Sequence, residues 1–492
     1  MLAHAGRRAD HFRRDAMNAF PADRPRNRRP FLIALVLIVA AAVAGGALFM
    51  WPRFESERPQ IAVSPDADVL GVAPLEIQVT DKGTGLKSVA ATLSQGGAEL
   101  SLAAEQFAQP AGEKKFAVAL AKVAGVKEGP AVLRIRARDA SLFRGNEAVL
   151  ERNVTIDITP PTLDLVADDR YVNFGGVGAI VYKASADTAS SGVRIGRYFF
   201  PGFAGQVKDH PDRFFALFAH PYDTPPEARP VLVATDKAGN TRELKLGYEL
   251  KDVRYRKSTL PVSDSFLQSK VAPLLADAAA RQGAPKDVFV AVNRLLRKEN
   301  EDRIAAVTGR ATPSILWKDA FAQLSNSKVE ANFADQRTYT YGGETIDTAY
   351  HLGYDLSVTK NYPVEAANSG TVAFTGDLGI YGGTVILDHG LGLYSLYGHL
   401  SSIDVKAGDA VAKRQILGKT GETGLAAGDH LHFGIYLAGI AVLPVEWWDQ
   451  KWIDDNIKPK LEGRSGEEIA QAQQPAKAKA KAAPKAAAKK GR

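Results

Sequence analysis

The sequence predicts a mainly β, multidomain chain tethered by one N-terminal transmembrane helix. Three observations carry that prediction. Residues 31–51 form an uncharged apolar run, residues 55–250 alternate short β-rich runs with turn residues, and residues 330–448 return to strands and tight glycine turns after a helical stretch. At 492 residues, and at roughly 100–200 residues per domain, three or four domains are expected. Apolar residues make up 45% and charged residues 24%, so a disordered or collagen-like chain is excluded. Cysteine is absent. Disulfides, thiolate metal sites and thiol nucleophiles are therefore excluded, and any metal must be held by His, Asp or Glu.

The run FLIALVLIVAAAVAGGALFMW spans 31–51, 21 residues without a charge. At about 1.5 Å per residue it crosses a bilayer core. Eight Arg and three Asp lie in residues 1–29, a flank of +5, and Trp51 stands at the far end as an interface anchor. The positive-inside rule puts that flank in the cytoplasm and everything after the span outside. Residues 1–29 are thus a cytoplasmic basic tail and 30–52 a transmembrane helix in the inner (cytoplasmic) membrane, with the bulk periplasmic. A cleaved signal peptide is the alternative, because Ala42-Val43-Ala44 resembles a cleavage site; the apolar run continues past it, which favours an anchor.

Residues 53–158 and 159–252 read as two β domains. Runs such as LEIQVTD, AVLRIRARD and PVLVATD are separated by Gly, Asp and Asn. A repeat with an offset of about 100 residues links them. Thr84-Gly85-Leu86-Lys87 is echoed by Ser191-Gly192-Val193-Arg194, and Asp139 followed by Gly145-Asn146 by Asp236 followed by Gly239-Asn240. One immunoglobulin-like sandwich per copy fits that length, and Thr159-Pro160-Pro161 makes a stiff junction. Asp236 and Asn240 have calcium-ligand chemistry, but turn residues are the favoured reading. Residues 253–325 change period: Phe266, Leu267, Val271, Leu274 and Leu275, then Val288, Val292, Leu295 and Leu296, recur at helical spacing. This is a helical connector. Its charge run from Arg297 to Arg303 is read as a solvated helix face. A further domain is expected over 326–450, then a disordered basic tail over 451–492, low in large apolar residues and rich in Ala and Lys.

Charge is unevenly placed. The chain carries +7, the first 29 residues +5 and residues 477–492 +7, so residues 30–476 carry −5. A phosphate-tracking groove is not indicated, and no nucleic-acid partner is expected. The basic ends suit an acidic surface such as anionic lipid or a cell-wall polymer.

Five of the nine histidines, His351, His389, His399, His430 and His432, fall within residues 351–432. Such clustering suits a metal site, because neutral His is a common ligand. His351 and Asp355 form an H-x-x-x-D pair. In DHLHFGIYL strict alternation puts Leu431, Phe433, Ile435 and Leu437 on one strand face and His430, His432, Gly434 and Tyr436 on the other. No H-E-x-x-H occurs, so the helical zinc arrangement is excluded.

The stretch from His351 to Trp447 resembles the LytM-type zinc metallopeptidases, the M23 or lysostaphin-like peptidase family. The matching pieces are HLGYD (351–355), YGGTVILDHGLGLYSLYGHL (381–400), VKAGDAVAKRQILGKTGETG (405–424) and HLHF (430–433), in the family's order. The resemblance implies an antiparallel β peptidase domain with Zn2+ on the floor of a groove. It implies His351, Asp355 and His432 as metal ligands, and His399 and His430 as catalytic residues. His389 matches a position that is usually not a ligand and is read as structural. Gly434 stands where the family usually has Glu. The implied function is a membrane-anchored zinc metalloendopeptidase hydrolysing peptide cross-links of peptidoglycan through a zinc-bound water. Two His and one carboxylate also describe a non-haem iron site, but that leaves His399 and His430 without a role. The other alternative is a non-catalytic LytM-like cell-wall binding or amidase-activating module; such modules have lost ligands, whereas all five positions are filled here.

Overall fold

The structure, a computed structural model, describes residues 29–142 and 145–473. Most of the expected cytoplasmic tail, 1–28, and the Ala/Lys-rich stretch from 474 lie outside the described residues. The fold is mainly β with one N-terminal apolar helix. The chain divides into two compact units, one from residues up to 66, 75–118 and 131–153, the other from 67–74, 119–130 and 154 onward.

In the first unit, helix Arg29–Met50 has 22 residues and buries none of them. Its length and composition suffice to cross a membrane. Strand Leu75–Thr80 pairs antiparallel with Gln60–Ser64 and Glu113–Val118. Strand Leu86–Gln95 lies between Ala98–Ala111 and Gly129–Asp139, again antiparallel. The alternation in LRIRARD is realised: Leu133, Ile135 and Ala137 are buried.

The second unit holds two four-stranded sheets between residues 163 and 245. In one, strand Val177–Ala184 pairs antiparallel with Arg213–Ala219 and Leu163–Ala167. In the other, Thr188–Ile195 pairs with Tyr198–Pro201 and Val231–Asp236. Tyr182, Phe200, Phe215 and Leu232 are fully buried here. The repeated Asp and Asn are turn organisers. Asp139 Oδ1 accepts from the Asn146 and Ser141 amides. In the other copy, Asp236 Oδ1 accepts from the Ala238 and Asn240 amides.

The segment expected as a helical connector is helical only in part. Lys257–Pro261 is a strand, paired in parallel with Gln336–Tyr341. That pairing joins residues almost 80 positions apart, so no local signal announces it. Helices follow between Asp264 and Thr308. Their apolar side, Val288, Phe289, Val292 and Ile304, packs with Ile380, Leu396 and Tyr436 into one core cluster.

The largest sheet runs in the order Lys328–Ala331, Tyr354–Ser357, Leu431–Leu437, Leu393–Leu400, Gly383–Asp388, Gly370–Asp377 and Ala410–Val411, all antiparallel, with Ile440–Val442 paired beside Leu431–Leu437. Its second face is not open. All seven residues of Leu431–Leu437 are buried, because the helices 285–308 cover the face that alternation alone marks as polar.

The chain also stays regular past the point where a disordered tail is expected. Short helices run from Pro444 to Leu461 and from Gly466 to Ala472. Ile453, Ile457 and Ile469 are buried, and Ser465 and Glu468 form a capping box on the last helix. Three isoleucines are too few to raise the average hydropathy of a segment, yet each fills a core position.

Glu446 makes this region pH-sensitive. It is 4% exposed; Oε1 accepts from Asn173 Nδ2 at 2.7 Å and Oε2 from the Val177 amide at 2.8 Å. Burial outweighs both bonds and pushes its pKa up from 4.5 to about 8. A folded-state pKa above the unfolded one stabilises fully below 4.5, and that contribution is lost as pH rises through 8. Glu446→Gln removes the charge and keeps one acceptor for the Val177 amide, while the Asn173 side-chain amide turns its oxygen toward the new NH2. The variant should melt close to the wild type at pH 4.5 and be more stable at pH 8 by on the order of 4 kcal/mol, for a rise from 4.5 to about 8 at roughly 1.36 kcal/mol per pKa unit. Equal melting midpoints at pH 8 would contradict the buried-acid account.

Candidate metal centre

Strand register assembles the site. Strand Leu431–Leu437 sits between Tyr354–Ser357 and Leu393–Leu400, with Asp355 directly opposite His432 on one side and Gly398 opposite His432 on the other. Asp355 and His399 are thereby delivered to His432 from its two neighbours. His351 opens the short loop before Tyr354, directly after strand Glu344–Tyr350. Its amide donates to Asp335 O at 3.0 Å, and its carbonyl accepts from Ala334 N at 2.7 Å. Glycine is required within HLGYD: a Cβ on Gly353 would lie 2.5 Å from Phe433 O and 2.7 Å from His432 Nε2.

Three donor atoms converge. His351 Nε2 lies 2.9 Å from Asp355 Oδ1 and 3.0 Å from His432 Nδ1, and His432 Nδ1 lies 3.1 Å from Asp355 Oδ1. His351 is 6% and His432 4% exposed, so water does not solvate these lone pairs. His351 Nδ1 donates to Asn332 O at 2.9 Å, which leaves the lone pair of the neutral ring on Nε2, facing the cluster. His432 Nε2 is buried without a hydrogen-bond partner, so no tautomer of that ring satisfies both nitrogens. The donor set, two neutral imidazoles and one carboxylate, is that of a three-ligand Zn2+ site. A cation at their centre is what this arrangement fits.

His399 and His430 stand beside that cluster. Their rings are 4.7 Å apart, and His399 lies 5.9 Å from His432 between ring centroids. His430 Nε2 is 3.5 Å from Asp355 Oδ1. Each fixes its tautomer through the backbone: His399 Nδ1 donates to Thr423 O at 2.8 Å, and His430 Nδ1 to Gly428 O at 2.7 Å. Both rings therefore present Nε2. His399 has φ +63°, a left-handed conformation that costs a non-glycine residue of order 1–3 kcal/mol and clusters at functional sites.

The environments of the two rings differ. Burial, then the neighbouring His430 and His432, push the His399 pKa down to about 3. Burial opposes protonation of His430, but the Asp355 carboxylate prevails and raises it. Burial lowers His432 to about 4. The Asp355 carboxyl is driven up by burial, yet His351, His430 and His432 outweigh this and hold it well below the carboxylate range.

His389 lies apart, fully buried. Its Nδ1 donates to Ser369 O, and its Nε2 meets Ser395 Oγ at 2.7 Å. At Gly434 a Cβ would approach Tyr436 Cε2 to 2.9 Å and Leu352 O to 3.2 Å, so the Tyr436 ring takes the space a side chain would use. Sequence reasoning missed Arg337, whose Nη2 pairs with Asp355 Oδ2 at 3.0 Å, and Asn332, whose carbonyl orients His351. Neither lies in a motif. It also missed the opposite wall: a cleft of about 520 Å3 over the histidines is lined by Leu260, Val262, Phe266 and Phe289 as well as by the site residues.

Residues 349–444 match the model of Peptidase family M23, whose members are peptidases; the C-terminal region therefore carries an M23-type domain. Over 95 residues, 19% of this chain, it is 36% identical to the DD-carboxypeptidase/endopeptidase Mpg of Neisseria meningitidis, 22% of which is covered. It is 32% identical to the peptidoglycan DD-endopeptidase ShyA of Vibrio cholerae over 115 residues, 23% of this chain and 26% of that one. Among solved structures, the catalytic domain of the antimicrobial peptidase lysostaphin from Staphylococcus simulans is similar, at 28% identity over 27% of this chain and 98% of that one, with a TM-score of 0.23. The matches span about a quarter of the length of the two curated relatives.

Proposed function

We propose that this protein is a membrane-anchored zinc metalloendopeptidase that cleaves peptide cross-links of peptidoglycan on the outer side of the cytoplasmic membrane. The observation that carries the reading is the convergence of His351 Nε2, Asp355 Oδ1 and His432 Nδ1 beside two further histidines in one cleft. The M23-type domain and the peptidoglycan-acting relatives support the substrate class, and the exposed apolar helix Arg29–Met50 supports the anchor.

His351, Asp355 and His432 would hold the metal. Bound there, Zn2+ supplies Lewis acidity: it makes water a nucleophile near neutral pH and polarises the scissile carbonyl. The remaining steps belong to the chain. His399, kept neutral by burial, accepts the proton of the attacking water at Nε2 and returns it to the leaving amine nitrogen as the C–N bond breaks. His430, when protonated, donates from Nε2 to the developing oxyanion. Arg337 holds Asp355 Oδ2, leaving Oδ1 for the metal. The covered cleft limits water access and strengthens these charges.

The test uses the full-length chain in detergent with isolated cell-wall sacculi. The sacculi should release soluble glycan–peptide material with zinc, stop with chelator and resume when zinc is restored; mass spectrometry of a muramidase digest of that material then names the cut bond. Zinc-independent release would exclude the metallopeptidase. Binding to sacculi without release would replace it with a non-catalytic wall-binding module.

A further inference from the structure

Three arginines, Arg256, Arg297 and Arg337, line the same cleft as the histidines. Arg337 is engaged with Asp355. Among the described residues, Arg256 and Arg297 have no carboxylate within ion-pair distance. Arg256 is exposed, where water compensates its charge. Arg297 is half-buried, which makes an unpaired guanidinium costly.

Arg297 is also aimed. Its Nε and Nη2 donate to Asn293 Oδ1 at 3.2 and 2.9 Å. Asn293 is 3% exposed, and its Nδ2 donates to Asp347 Oδ2 at 2.9 Å. Asp347, itself buried, takes Arg294 on its other oxygen at 2.9 Å. The chain Asp347–Asn293–Arg297 fixes the guanidinium plane through a neutral oxygen; Glu301, one turn further on, feels the Arg297 charge but makes no ion pair with it, so the guanidinium is oriented without a direct carboxylate contact. A guanidinium has five N–H donors; two serve Asn293 and three remain. Tyr381 lies between this residue and the centre: burial and the Glu301 charge act on its hydroxyl first, Arg297 opposes them, and its ring packs 5.3 Å from His432.

We propose that Arg297 is a specificity-determining residue that receives a free carboxylate of the substrate peptide, so that the cleft selects acidic peptides over their amidated forms. This rests on the peptidase reading and names the chemical group the cleft selects. A pre-oriented guanidinium suits a planar carboxylate because its remaining N–H groups match the two oxygens, and such charge-assisted bonds are roughly twice as strong as neutral ones. A carboxamide has the same shape but no charge.

The test compares one cross-linked muropeptide with its carboxylates free and the same compound with them converted to carboxamides, on the full-length chain. Wild type should show kcat/KM at least about 10-fold higher for the acid, the scale of one charge-assisted contact. In R297A and in the longer R297Q the ratio should fall to within about 2-fold through loss on the acid alone, with the amide cleaved as by wild type; R297K, lacking the fork, should fall between. Calorimetric titration of both compounds into the chelator-treated protein reads the same contact without turnover, so a failure of the peptidase reading is seen separately, as cleavage of neither compound. Equal binding of acid and amide by the wild type, or a preference unchanged in both R297A and R297Q, overturns the assignment.

Discussion

Replacing His399 or His430 by alanine is expected to leave about one metal ion per chain and lower the release of soluble wall fragments at least about 100-fold, the scale of a lost acid–base or oxyanion partner. Replacing His351, Asp355 or His432 by alanine should remove metal and activity together. His430 stands just before the strand that carries His432, two residues away, and the contrast between them follows from which atoms face the cluster. His432 Nδ1 lies within 3.1 Å of both other donors, whereas His430 turns Nδ1 back to Gly428 O and stands 3.5 Å from Asp355. Because His399 has φ +63°, His399→Ala carries backbone strain of its own; His399→Asn, which tolerates the left-handed region, keeps the test clean. Atomic absorption gives the metal content and sacculus digestion the rate. Wild-type cleavage by both His399→Asn and His430→Ala would remove their catalytic assignment.

The two histidines of HLHF were legible in the sequence because strand alternation is a local signal, and the strand does turn Leu431, Phe433, Ile435 and Leu437 into one core. The opposite face was not legible as buried. Its cover comes from helices more than 120 residues earlier, and only the apolar spacing of Val288, Val292 and Leu296 hinted at a packed side. The strand Lys257–Pro261 was hidden for the same reason, since its partner Gln336–Tyr341 lies far along the chain. In the charge run read as a solvated helix face, Asn300 is buried and its Oδ1 accepts from the Ile380 amide. Arg297 begins that same helix, and sequence spacing gives no sign of the cleft beside it. Composition misled at the C-terminal end. Residues 451–473 read as a continuation of the Ala/Lys tail, yet their ordering depends on single residues, and one of them is a lysine.

Lys460→Met should destabilise the second unit by about 3–5 kcal/mol, the cost of leaving one member of a buried ion pair alone. The Lys460 side chain is 1% exposed and that of its partner Asp169 6%. Lys460 Nζ donates to Asp169 Oδ1 and, at 2.6 Å, to Asn456 O; Asp169 Oδ2 accepts from the Ala179 amide at 2.5 Å. Methionine keeps the volume, so the loss is electrostatic. Burial already raises the Asp169 pKa in the wild type, opposed by Lys460; in the variant no cation opposes it, and the folded-state pKa rises further above the unfolded value. Such a group stabilises fully below its unfolded pKa of about 3.9, and that contribution is lost as pH rises through the folded one. The deficit of Lys460→Met against wild type should therefore be small near pH 4 and large at pH 7. Adding Asp169→Asn removes the stranded charge and keeps an oxygen for the Ala179 amide, so the double variant should recover most of the loss at pH 7. Thermal melts of the three proteins at both pH values decide the matter. A pH-independent deficit would mean that methionine fails by packing, and no deficit at all would mean that this pair, buried as it is, contributes nothing over a neutral side chain.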